Sequence, residues 1–227
     1  MDEIMLDEEV ILEIKKLKEE ISSFIKRLKE ISCSEINYGE ESFFSFIAKH
    51  IILFKELYRY ENKYYYKVMI SDMFFYILSI SKIETRYIYV NQRSIIENYM
   101  RSILSVTVEE NHITNSLFEK LKDDYEIPEE IYALLKGEYY TACSYIHGGK
   151  LLEENLVSFF NETINKKVKI NSINRYYQRI TKLMQEFDKL LIISNYNYIN
   201  GVFHRRKSVL KYLIGEKLVK LLIGLDY

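Results

Sequence analysis

Two groups of residues in this sequence have types and spacings suited to chemistry. The first is a histidine at the close of EYYTACSYIHGG (138–149), a stretch of helical composition stopped by two successive glycines. Glycine readily takes the left-handed conformation that ends a helix, which puts His147 on the last turn. The negative end of the helix dipole attracts a cation there, and backbone can approach closely at the glycines. Such a place suits a phosphate or a ribose, or, more simply, an imidazole that caps the last carbonyls. Tyr140, Ser144 and His147 are spaced by four and three and share one face.

The second group lies in YVNQRSIIENYMRSIL (89–104), where Arg93, Glu97 and Arg101 stand at i, i+4 and i+8 and form one charged ladder. Ile95, Ile96, Tyr99, Ile103 and Leu104 occupy most of the remaining circumference, so the helix is largely buried and the ladder faces a polar cleft or another subunit. The plainer alternative is a pair of ordinary ion pairs on a solvated face. A further basic patch, His204, Arg205, Arg206 and Lys207, is flanked by Tyr196, Tyr198 and Phe203. Cations interleaved with aromatic rings can follow a nucleic-acid backbone and stack bases. More often such a cluster opens a surface helix or meets an acidic partner; here it would open a helix, where cations oppose the dipole, a local conflict that adds some weight to the functional reading.

Other site classes are poorly supported. His50, His112, His147 and His204 include no pair with helix-ligand or zinc-finger spacing, so no metal site is expected. There is no glycine-rich phosphate loop and no Gly-x-Ser-x-Gly elbow, and no cofactor is expected. Cys33 and Cys143 read as small buried hydrophobes in a reducing compartment.

The elements that must position these groups are helices. One proline and seven glycines in 227 residues leave few places to punctuate the chain, which favours long helices over a turn-rich β fold. The abundant Tyr and Phe partly follow from an AT-rich coding bias and carry little functional weight. A formal net charge of −1 excludes the global basic field of a dedicated nucleic-acid binder, so any RNA contact must come from a local patch. The acidic start MDEIMLDEEV is unlike a signal peptide, and the most apolar run, 68–80, contains Asp72 and is too short to span a bilayer. A cytoplasmic protein without a membrane segment is expected.

The periodicity predicts an all-α fold, a single helical bundle of about eight helices with a long N-terminal amphipathic helix. Residues 1–36 hold that helix, whose seam of Val10, Ile14, Leu17, Ile21, Phe24, Leu28 and Ile31 either packs on the domain's own core or serves as a dimerisation element. Residues 37–227 form the bundle, with helices expected at 43–60, 68–81, 88–106, a short one ending near 122, 128–147, 153–165, 173–194 and 205–223. Pro128 suits a helix start, and 195–204 reads as a polar loop.

The Arg-x-x-x-Glu helix followed by a helix ending YxxxSYIHGG resembles the HEPN superfamily, specifically its divergent groups from abortive-infection and toxin–antitoxin systems. The resemblance covers 68–152 and implies a metal-independent endoribonuclease. Such proteins pair two subunits so that an Arg-x(4–6)-His motif lines a shared cleft. His147 matches the histidine of that motif, and Glu97 or Arg93 matches the polar position on the preceding helix. The sequence departs from the pattern at Tyr140, Thr141 and Ala142, where the family's arginine would fall. Arg93 or Arg101 is then expected to supply the guanidinium. The expected partners are RNA, a second copy in a homodimer, and a partner defence or antitoxin protein. A non-catalytic interaction protein, such as an antitoxin, scaffold or sensor subunit, is the alternative.

Overall fold

The computed structural model describes residues 8–32, 35–107, 114–147 and 173–225. Among them it holds ten helices and no strand, confirming the all-α class: α1 Glu8–Ile31, α2 Tyr38–Tyr60, α3 Tyr64–Ser81, α4 Thr85–Ile103, α5 Thr114–Tyr125, α6 Glu129–Ile146, α7 Ile173–Ser194, α8 Tyr196–Val202, α9 Lys207–Ile214 and α10 Glu216–Gly224. The helix expected at 153–165, Gly148, Gly149, Cys33 and His112 lie outside the described residues.

The larger number of helices has local causes. The stretch expected as a loop after α7 contains a two-turn helix, α8. The helix expected at 205–223 is two helices, because Gly215 adopts φ +92 between α9 and α10. Helix α2 starts five residues before its expected first residue. Asn37 accepts a hydrogen bond from the Glu40 amide (3.1 Å) while the Glu40 carboxylate accepts from the Asn37 amide (3.0 Å), a reciprocal capping box.

Helices α3, α4 and α5 end without glycine. The residues that turn left-handed after them are Ile83 (φ 59), Ser105 (φ 52) and Glu126 (φ 47). Each is followed by an amide that reaches back five residues, Glu84 to Ser79, Val106 to Arg101 and Ile127 to Lys122. This is the six-to-one closure that a glycine normally permits at lower cost.

Helix α2 is buried on nearly every side and packs on α1, α3, α7, α8 and α9. Helix α4 is the second hub, against α3, α5, α6 and α7. Between the hubs lies an aromatic core: Tyr99 stacks on Phe187 (5.1 Å between centroids) and meets Phe54 edge-on (5.4 Å). The N-terminal seam packs within the chain, with its Val10, Ile21 and Leu28, and Ile25 outside the expected seam, buried against a core shared with α2, α3 and α9. Ile31, expected on that seam, is exposed.

Candidate functional site

The ladder forms as its spacing dictates. On α4, Arg93 Nε donates to Glu97 Oε1 (2.9 Å), and an Arg101 terminal nitrogen lies 3.5 Å from Glu97 Oε2. One carboxylate thus serves two guanidiniums, leaving the group with a surplus positive charge. All three side chains are partly buried, so the charges are screened less than on an open surface.

Helix α6 brings His147 to this ladder. The registration rests on neighbouring residues: Gln92 Nε2 donates to the Glu138 carbonyl (3.2 Å) and carboxylate (3.3 Å), and Arg179 of α7 grips the same carboxylate (2.7 Å). Nearer the C-terminal end of α6, Tyr145 stacks on Tyr89 of α4 at 3.9 Å with planes 10° apart. Fixed at both points, α6 ends with His147 exposed at its C-cap, and an Arg93 terminal nitrogen stands 3.5 Å from His147 Nε2. A guanidinium can only donate, so this contact is a hydrogen bond only when Nε2 is unprotonated.

Residues outside the expected set complete the group. Tyr139 donates its hydroxyl to Glu97 Oε1 (3.1 Å), and its ring lies 5.6 Å from the Arg93 guanidinium carbon. The Tyr65 ring from α3 lies 5.8 Å from that of Arg101. The face of α6 turned to the ladder is therefore Tyr139–Cys143–His147, at the same four-residue spacing. The expected Tyr140–Ser144 face is turned away from it, with Tyr140 bonded to Asn115 of α5 (3.0 Å). Asp72 of α3 lies beside the ladder and accepts from Ser94 (2.7 Å) and Asn98 (3.1 Å). Burial raises its pKa, and the nearby Glu97 charge acts in the same direction, against those two hydrogen bonds.

The basic patch at 204–207 does not act as one surface. Arg206 turns inward and bridges α1 to α2 through Glu13 and Glu56 (2.9 Å to the latter), and Lys207 bonds Asn200 while burial lowers its pKa. His204 and Arg205 are exposed. An RNA-binding role for all four would require Arg206 to leave two carboxylates.

Comparison with family models, with curated proteins and with solved structures returned no match. The chemistry of the site therefore stands on its geometry. Among the described residues no cluster of His, Cys, Asp and Glu is gathered as metal ligands would be, and no helix is long and apolar enough to cross a membrane.

A second buried ionisable group lies in the core. His50 of α2 is fully enclosed, with Nε2 2.7 Å from Asp188 Oδ2 of α7 and Nδ1 2.8 Å from the Phe46 carbonyl. Tyr99 of α4 donates to the other Asp188 oxygen (2.9 Å). Burial alone would lower the His50 pKa. The Asp188 charge and hydrogen bond, with the Phe46 carbonyl, outweigh it and raise the pKa, against a smaller opposing effect from Lys49. With acceptors on both ring nitrogens, His50 is a buried imidazolium.

Proposed function

We propose that the protein is a HEPN-like, metal-independent endoribonuclease of a bacterial anti-phage defence or toxin–antitoxin system, acting as a homodimer. The observation that carries this reading is the approach of the Arg93 guanidinium to His147 Nε2. The family pattern asks for an arginine beside the histidine, and α6 has none at Tyr140, Thr141 or Ala142. A guanidinium from α4 stands there instead.

In this reading His147 Nε2 takes the proton of a ribose 2′-hydroxyl. The 2′ oxygen attacks the adjacent phosphorus, the bond to the 5′ oxygen breaks, and the proton passes through the imidazole to that leaving oxygen. The products are a 2′,3′-cyclic phosphate and a free 5′-hydroxyl, with no external reactant. Arg93 and Arg101 oppose the charge that grows on the phosphate oxygens, and Glu97 with Tyr139 holds Arg93 in place. The test is cleavage of single-stranded RNA in chelator. His147→Ala and Arg93→Ala should each lower the rate by about 10²-fold or more. Cleavage that survives both substitutions would overturn the assignment.

The alternative reading, a non-catalytic interaction protein, draws on the missing α6 arginine and on the diversion of Arg206 into an internal bridge. A folded protein that cleaves no RNA would favour it.

A further inference from the structure

Past Arg101, the ladder runs into a recess of about 240 Å³ between the start of α3 and the end of α4, lined by Lys63, Tyr64, Tyr65, Arg101, Ser102 and Thr107, among others. Its walls combine features that seldom meet by packing alone. The Arg101 guanidinium makes no hydrogen bond among the described residues beyond its 3.5 Å approach to Glu97, a carboxylate that Arg93 holds more closely. Tyr65 presents a ring under that guanidinium, and Tyr64 is half exposed beside it. The Ser102 hydroxyl is enclosed without a hydrogen-bond partner, although a helical serine ordinarily finds at least a backbone carbonyl. Helix α3 begins here with neither a side-chain cap nor an acidic residue in its first turn, which leaves the positive end of its dipole uncompensated by charge, although the Tyr66 amide is tied to the Lys63 carbonyl (3.2 Å). Lys63, the residue before that turn, adds a cation, tempered by Glu61 at 3.3 Å.

We infer that this recess is a nucleotide subsite, which takes one base and phosphate of the RNA strand cleaved at the neighbouring ladder. Apolar and aromatic walls with a few convergent polar groups are the usual make-up of a small-ligand pocket. Tyr64 and Tyr65 offer a base a stacking surface, and Arg101 and Lys63 receive the phosphate. Arg101 belongs to both ends, since Arg93 lies two helical turns back, about 12 Å along α4. A strand with its phosphate at Arg101 is within reach of His147. The subsite rests on the ribonuclease reading for its substrate, yet its own binding chemistry needs neither His147 nor catalysis.

The experiment measures binding of the four ribonucleoside 5′-monophosphates, of inorganic phosphate and of a nucleoside to the full chain by calorimetry. It uses the wild type, Lys63→Glu, Tyr64→Ala and His147→Ala. At least one mononucleotide should bind with a Kd of about 1 mM or tighter. Phosphate or nucleoside alone should bind at least tenfold more weakly. Lys63→Glu should weaken the nucleotide by about tenfold while unfolding at the wild-type denaturant midpoint, and Tyr64→Ala should weaken it to a similar extent. His147→Ala should bind as the wild type does. The bound nucleotide should also compete with a non-cleavable RNA. Binding that ignores Lys63 and Tyr64, phosphate that binds as well as nucleotide, or a nucleotide that fails to displace RNA would each overturn the subsite. A protein that binds nucleotide as described but cleaves no RNA would overturn the ribonuclease reading and the strand assignment, leaving a free-nucleotide pocket.

Discussion

The buried pair of His50 and Asp188 yields a prediction whose sign and size both follow from geometry. Asp188→Ala would leave Nε2 of a fully enclosed imidazole and the Tyr99 hydroxyl without acceptors at once. Removing one partner of a buried charge pair typically costs about 3–5 kcal/mol. In a chain of this length that corresponds to a fall in Tm of about 6–20 °C. Asp188→Asn should behave differently. Its carbonyl can still accept from Tyr99 and its amide can donate to Nε2 of a neutral His50 that keeps its Nδ1 proton on Phe46, so the loss should be about 1 kcal/mol. The two charge states predict opposite pH slopes. In the wild type the folded pKa of His50 is raised, so its contribution is full below the unfolded value of 6.5 and is lost as pH rises through the folded value. In Asp188→Asn, burial and the Lys49 charge are opposed only by the Phe46 carbonyl and lower the folded pKa, so stability is lost instead as pH falls through 6.5. Urea melts followed by far-UV circular dichroism across this range, at constant m, measure both slopes. Equal slopes in wild type and Asp188→Asn, or an Asp188→Ala variant within about 1 kcal/mol of wild type, would refute the buried imidazolium.

Other outcomes can be checked in the same preparations. Glu97→Gln releases both arginines; it should lower RNA cleavage about tenfold or more while leaving RNA affinity unchanged or tighter, because the site gains a net positive charge. Arg206→Ala breaks the link from Glu13 to Glu56 and should cost about 1–2 kcal/mol in a denaturant melt, with faster proteolysis of α1 than of the bundle. Glu126→Gly relieves an exposed left-handed residue and should raise stability by about 0.5–1 kcal/mol, read as a higher urea midpoint.

The helical class and most elements were legible because their signals are local: periodic apolar residues and scarce glycine and proline. The ladder was legible for the same reason, since i, i+4 spacing places side chains together whatever surrounds the helix. The partner of His147 was narrowed to Arg93 or Arg101 from the absence of an arginine on α6, and the fold brings up Arg93. What could not be read were registrations between helices. Tyr139 rather than Tyr140 faces α4 because Glu138 is tied to Gln92 and Arg179, residues 46 and 41 positions away. His50 showed only that it lacked metal-ligand spacing, since its partner Asp188 is 138 positions distant. At 204–207 the sequence left a nucleic-acid face and a meeting with acidic partners both open, and it could not name Glu13 and Glu56, far off in the chain, as the carboxylates that hold Arg206. Two misses had a visible signal: the start of α2, with the Asn-x-x-Glu spacing at Asn37 and Glu40, and the break of the last expected helix at Gly215.

The left-handed helix ends at Ile83, Ser105 and Glu126 connect the fold to the genetic code. Every glycine codon opens with two guanines, whereas the Ile, Lys, Asn, Tyr and Phe that crowd this chain are read from codons rich in adenine and thymine. A gene held to that composition meets its turns with the residues it can readily encode, and the backbone absorbs the strain, on the order of 1 kcal/mol or more at each such end. The same three positions are where single codon changes can make the protein hardier while leaving the core packing intact.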